Sequence, residues 1–255
     1  MSKHADTAAR KLEGQPLDIP PGGGVEITPY PGYDVASPDK WAYDWDEKTR
    51  KLVMDRVHNV PLYRFFSPPQ VRTLEALCAH AMPQDDRPAH ERVPIAPWID
   101  DHLYRGEGNG YRYEDMPEDR EAYRQGLAGF EQSARLLYST PFTALAPKRQ
   151  DDVVRRVAEG DAPGDIWKTL PPARFFQLFM GDVISNYYAH PAAWSEMGFN
   201  GPSSPRGHIR LGLGKRDPWE AEEKRPRSSV ELVRRSKDKG QGEQGGQGSG
   251  GGATH

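Results

Sequence analysis

One cysteine, Cys78, is all the thiol chemistry in 255 residues. An internal disulfide and a thiolate metal cluster are therefore both excluded, and the redox compartment stays open. No apolar run approaches the roughly 20 residues that cross a bilayer, so no membrane insertion is expected. Charge of one sign is also lacking: 34 basic side chains stand against 37 acidic ones, a formal net charge of -3. Such a balance gives no overall field to draw the chain onto nucleic acid. The local exception is a basic stretch, Arg206, Arg210, Lys215, Arg216, Lys224, Arg225 and Arg227, continued by Arg234, Arg235, Lys237 and Lys239. A run of this kind reads as a solvated tail.

Recognisable cofactor and catalytic devices are missing as well. Gly214-Lys215 resembles the end of a phosphate loop, but Ile209 stands where its first glycine belongs and Arg216 where the magnesium-binding hydroxyl belongs. Gly108 and Gly110 are followed by Tyr113 in place of the third glycine of a dinucleotide fingerprint, and no strand precedes them. There is no C-x-x-C-H, H-E-x-x-H or G-x-S-x-G. The histidines His58, His80, His90, His102, His190 and His208 fall at spacings that place no two on one helical face. Asp100, Asp101 and His102 resemble an acid–base cluster, but they follow a short Trp98-Ile99 turn on which polar residues are expected to face water.

What is present is helical punctuation. A helix is expected between Trp45 and Val57 behind the acidic Asp44 and Asp46, which suit a positive helix terminus. Ser67 caps a second, Pro68 and Pro69 fit its first turn, and Val71, Leu74, Leu77, Cys78 and Ala81 form its apolar face until Pro83. Cys78 is thereby expected as a buried structural thiol. From Pro83 to Pro97 the repeated prolines predict an irregular, stiff connection, giving way to one short turn at Trp98, Ile99 and Leu103. A long amphipathic helix runs from Glu118 through Tyr123, Leu127, Phe130 and Ala134 to Leu137. Another spans Pro147 to Ala158 and stops at Gly160. Ile166, Trp167 and Leu170 make one apolar turn. Pro171 and Pro172 open the most apolar helix, Phe175 to Tyr187, expected at the centre of the fold.

No stretch alternates long enough for a sheet, so the fold class is all-α, an irregular helical domain with an extended arm before it and a disordered Gly-rich tail behind. Only His208 to Leu213 alternates, as an extended edge or docking strand. The organisation expected is a Pro/Gly-rich arm over 1–40, a helical domain over 41–219 and a tail over 220–255.

The segment GDVISNYYAHPAAWSEMGFNGP, residues 181–202, concentrates the aromatic residues. Pro191 forces His190 into an extended conformation, ends the central helix and begins a short one that Gly198 closes. Tyr187, Tyr188, His190, Trp194 and Phe199, with Arg206 and Arg210 beyond, are the candidate partner-binding residues, since rigid aromatic anchors beside arginines are favoured at interfaces. For Tyr187 and Trp194 a place in the domain's own core is the competing reading. No residue is assigned a catalytic, cofactor-binding or metal-binding role.

FSPPQVRTLEALCAHAMPQDD, PWIDDHL and PPARFFQLFMGDVISNYYAHPAAWSEMGFNGPSSPRGHIRLGLGKRDPWE together make the chain resemble the gluconate 2-dehydrogenase subunit 3 family from about Phe66 to Trp219. The resemblance implies a small accessory subunit without its own cofactor, supporting a FAD-bearing partner of the glucose-methanol-choline oxidoreductase type that oxidises a sugar or sugar acid. A multihaem cytochrome c subunit is a further implied partner. Many relatives carry a twin-arginine signal; the opening MSKHADTAARKLEGQPLDI has none. The expectation is a cytoplasmic protein, or a periplasmic one co-exported with a partner that carries the signal. An interaction scaffold unrelated to redox chemistry and a free-standing metal- or histidine-dependent enzyme are the alternatives.

Overall fold

A computed structural model of the chain describes residues 30, 32–36, 45–108, 110, 112–205, 207 and 211–222. Most of the expected arm, the tail beyond residue 222, and Arg206, His208, Ile209 and Arg210 lie outside the described residues. Among those described there are seven α-helices and no strand: α1 Glu47–His58, α2 Pro68–Ala81, α3 Ile95–Arg105, α4 Asp119–Tyr138, α5 Pro147–Glu159, α6 Pro172–Tyr188 and α7 Pro191–Met197. The expected all-α class holds. None of these helices is long and apolar enough to cross a membrane.

Local chemistry explains most of the boundaries. Asp46 accepts the Thr49 N–H at 2.7 Å and starts α1. Gln70 Oε1 reaches back to the Ser67 N–H and hydroxyl at 3.0 and 2.8 Å, with Pro68 filling the first helical position, which has no use for an N–H. Gly160, at φ 87°, closes α5 in the left-handed conformation.

The proline-rich stretch before Trp98 is not irregular throughout: α3 begins at Ile95 and continues for 11 residues. Pro97 lies in its first turn, where an amide has no partner inside the helix, so the ring interrupts nothing. Gly106, at φ 69°, ends α3 and donates to the His102 and Leu103 carbonyls.

The central position expected for α6 is observed, for it packs against α2, α3, α4, α5 and α7. Its Phe175, Phe179 and Val183 are fully buried, joining Tyr123, Leu127 and Phe130 of α4 and Leu74 and Leu77 of α2. The approach of α4 is close because Gly126 faces the Phe175 ring and Gly129 faces Trp167. Edge-on aromatic pairs fill the space, with Tyr123 and Phe175 centroids 5.6 Å apart and Phe130 and Phe142 5.7 Å apart. Trp167 donates its indole N–H to Ser133 at 2.8 Å, and the Ser133 hydroxyl donates to the Pro163 carbonyl at 2.6 Å. Cys78 is buried as expected, and burial pushes its thiol well above the ordinary range, so it stays protonated.

A second, smaller cluster unites Val35, Trp45, Val53 and Trp194. It brings the start of α1 and the 32–36 segment to the far end of the chain, reinforced by a single bridge between Trp45 and Pro205. The part of the alternating His208–Leu213 strip that is described, Leu211 to Leu213, forms a bend and turn rather than an extended edge, and Leu211 and Leu213 project into solvent.

Candidate docking corner

The chain folds back between α6 and α7 as the His190-Pro191 dipeptide requires. His190 has φ -94° and ψ 136°, extended, and its Nδ1 accepts the Ala192 N–H at 3.2 Å. Gly198, at φ 67°, closes α7, and a Cβ there would stand 2.6 Å from the Tyr30 ring. Both the conformation and the space demand glycine.

The corner has an inner and an outer face. Tyr187 is 7% exposed and Trp194 9%, so these two candidates point inward. The Tyr187 hydroxyl donates to Glu196 Oε2 at 2.8 Å, and Glu196 Oε1 pairs with Arg87 from the segment before α3. Burial, followed by the Glu196 contact, pushes the Tyr187 phenol up to about 12, so it remains a donor. Trp194 donates its indole N–H to the Tyr188 carbonyl at 2.6 Å. The outer face carries Tyr188 and Phe199, 43% and 44% exposed, with Ile184 one turn before Tyr188 and Met197 at the end of α7 also in solvent. Phe199 stands edge-on to Trp194 at 5.7 Å, so an exposed ring rests on a fixed one.

Segments distant in sequence lock this arrangement. Ser195 Oγ accepts the Val35 N–H at 3.1 Å and donates to the Pro191 carbonyl at 3.0 Å. Trp45 donates its indole N–H to the Pro202 carbonyl at 2.9 Å, and Ser204 donates to Asp46 at 2.8 Å. Arg87, Glu196, Val35 and Trp45 were not among the residues singled out from sequence. Only Glu196, the one charge in the short helix α7, carried a signal there.

His190 is half-buried, and its pKa falls to about 4 through burial first and then the positive fields of Arg87 and Arg56. The ring is neutral at pH 7. A folded pKa below the unfolded value of 6.5 means the unfolded chain binds the extra proton first. The stabilisation is complete above pH 6.5 and is lost as pH falls toward 4. Denaturant titrations at pH 7 and pH 4.5 should show an acid loss that is smaller in His190→Asn, which keeps an N-cap acceptor without an ionisable ring.

The Asp100-Asp101-His102 cluster differs from expectation. Asp100 and Asp101 do not face water: they are 0% and 3% exposed. Because α3 is a full helix, it turns both carboxylates onto the segment leading into α2. Asp100 accepts the N–H groups of Arg64 at 2.6 Å, Phe65 at 3.1 Å and Phe66 at 2.9 Å. Asp101 pairs with Arg64 and, at 2.7 Å, with Arg105. Elsewhere in the body Asp182 accepts from Tyr123 at 2.6 Å, and Glu131 accepts from Thr73 and from the Phe142 N–H at 2.9 and 3.1 Å. These carboxylates tie helices and turns together. Among the described residues no group of three or more histidine, cysteine or acidic side chains is placed to hold a metal ion.

No curated protein and no solved structure matches the chain. The sequence profile of gluconate 2-dehydrogenase subunit 3 matches residues 68–201, from the first turn of α2 to the glycine packed on Trp45, just over half of the chain. With all of α2 to α7 and the whole α6–α7 corner inside that match, the chain belongs to the gluconate 2-dehydrogenase subunit 3 family.

Proposed function

We propose that this chain is a noncatalytic accessory subunit of a FAD-dependent sugar or sugar-acid dehydrogenase complex, and that it supports the FAD-bearing subunit through the α6–α7 corner. The observation that carries the reading is the two-sided corner. Tyr187 and Trp194 are fixed inside, so Tyr188 and Phe199 are held outside on a rigid mount, within the residues the family profile matches. Rigid aromatics lose little conformational freedom on docking and are the side chains that dominate interface energies. The buried carboxylates support it too, since each is engaged in holding helices together rather than gathered around a reaction centre. FAD belongs on the partner, a glucose-methanol-choline type subunit, and a cytochrome c subunit is the electron-accepting third member. The compartment is that of the FAD-bearing partner, cytoplasmic or periplasmic.

Co-expression with a glucose-methanol-choline type flavoprotein of the same organism tests this. Tagged chain should retain a protein with flavin absorbance near one equivalent. Tyr188→Glu and Phe199→Glu should each weaken that capture about tenfold or more while leaving helical content unchanged. Sugar oxidation by the purified chain alone, with a dye acceptor, would overturn the reading.

A further inference from the structure

Helix α1 is used on one side only. Val53 is fully buried in the smaller cluster with Trp45 and Trp194. Its neighbour Leu52 turns the other way and is 61% exposed, on a stripe with Lys48, Lys51, Asp55 and Arg56. These five follow the i, i+3, i+4, i+7, i+8 spacing of a single helical face. Trp98 of α3 stands across from them, and a groove of about 430 Å³ lies between. Leu52 and the half-buried Trp98 give it an apolar floor, and the Arg56 guanidinium is held over the Trp98 ring at 5.7 Å.

The charge left over on this groove is of one sign. Asp55 is its single carboxylate, and it is engaged on both oxygens, by Lys51 at 2.7 Å and by the Asn59 amide at 2.8 Å. Lys48 and Arg56 have no carboxylate partner among the described residues, so two positive charges stand without an answer. They mark the two ends of the stripe, eight residues apart and so about 12 Å along the helix axis. Two cations around an apolar floor complement two carboxylates around an apolar side chain.

The distance between the cations decides what carries those carboxylates. An extended peptide advances about 3.3 Å per residue with alternate side chains on one side, so its first and fifth residues are about 13 Å apart and its third lies between them, facing the same way. A compact anion such as inorganic phosphate spans far less and reaches only one of the two.

We propose that the α1–α3 groove binds an extended acidic segment of a partner polypeptide, its two carboxylates taken by Lys48 and Arg56 and the apolar side chain between them seated on Leu52 and Trp98. Neither Tyr188 nor Phe199 lines this groove, so it is a second surface, independent of the role proposed for the α6–α7 corner.

The test is a titration of the purified full chain with the blocked peptide Glu-Ser-Phe-Ser-Glu, read by the NMR signal of the Trp98 indole N–H, which Trp98→Phe identifies by its loss. A saturable shift of that signal is expected. Lys-Ser-Phe-Ser-Lys, of opposite charge, and Glu-Ser-Ser-Ser-Glu, without the apolar side chain, should each bind about tenfold more weakly or worse. Leu52→Ser and the double variant Lys48→Glu with Arg56→Gln alter only the outer stripe, and each should weaken the acidic peptide about tenfold with helical content unchanged. An unmoved Trp98 signal, equal affinity for the acidic and basic peptides, or binding indifferent to both variants overturns the proposal. So does a dimer of the purified chain that Leu52→Ser dissociates, which assigns the groove to a second copy, or a single-stranded oligonucleotide that shifts Trp98 at lower concentration than the peptide, which assigns it to nucleic acid.

Discussion

Replacing Asp100 by alanine is expected to lower stability by about 3–5 kcal/mol, a fall in melting temperature of roughly 10 °C or more for a domain of this size. The side chain is fully buried and gathers the N–H groups of Arg64, Phe65 and Phe66 on its two oxygens. Those amides point inward just before α2, where no carbonyl of a regular ladder can receive them. Alanine leaves all three without an acceptor and opens a space in the interior. Asparagine is expected to be nearly as damaging, because its amide sets one donor against another. Asp101→Asn should cost less, since its partners Arg64 and Arg105 are 45% and 55% exposed in their side chains and can turn to water. Urea denaturation followed by circular dichroism separates these outcomes. A loss for Asp100→Ala no greater than for Asp101→Asn would show that the 64–66 turn is held by something else.

Gly126→Ala is expected to destabilise by about 2–3 kcal/mol, although alanine is the better helix former by about 1 kcal/mol. The added Cβ would lie 2.1 Å from Cζ of Phe175. That ring cannot step aside: it is fully buried, edge-on to Tyr123 at 5.6 Å and within 6.4 Å of Phe130 and 6.3 Å of Trp167. The remedy must be a shift of α4 away from α6, which loosens the whole interior. Gly181 is the internal comparison, for a Cβ there meets nothing within 4 Å and the residue is exposed. Gly181→Ala should therefore raise stability by about 0.5–1 kcal/mol, the ordinary gain of alanine over glycine in a helix. Combining Gly126→Ala with Phe175→Leu should recover part of the loss, and the double-mutant cycle measures the coupling. Additive effects would place the two residues out of contact.

These two positions also mark where the sequence stopped being readable. Elements whose ends are set by neighbours in the chain were legible: α2 from Ser67, its two prolines and Gln70, and α7 from His190-Pro191 and Gly198. The helix α3 was hidden because Pro97 reads as an interruption unless its place in the first turn is known, and that place depends on Ile95 and Ala96 being buried. Asp100 was misplaced for a related reason. Its partners lie about 35 positions earlier and are backbone amides, which carry no signature in side-chain composition. Gly126 and Gly129 meet Phe175 and Trp167, again far along the chain. At the corner, composition identified the aromatic cluster but gave no way to sort it. Tyr187 and Tyr188 are neighbours of the same type, and only the pitch of α6 against α3 and α7 sends one in and the other out.

Val35 and Trp45 bind Ser195 and Pro202 across separations of 160 and 157 residues. Contacts of such reach form late, because a long loop must close before any of them contributes. A growing polypeptide can assemble α2 to α5 among themselves, yet the seat of Phe199 is finished only after Ser204 has been synthesised and the early segment has swung back over it. Under the docking role proposed for Tyr188 and Phe199, only a chain synthesised past Ser204 and left unbroken holds these two rings on a stable mount, so an unfinished or nicked one has little with which to engage a partner.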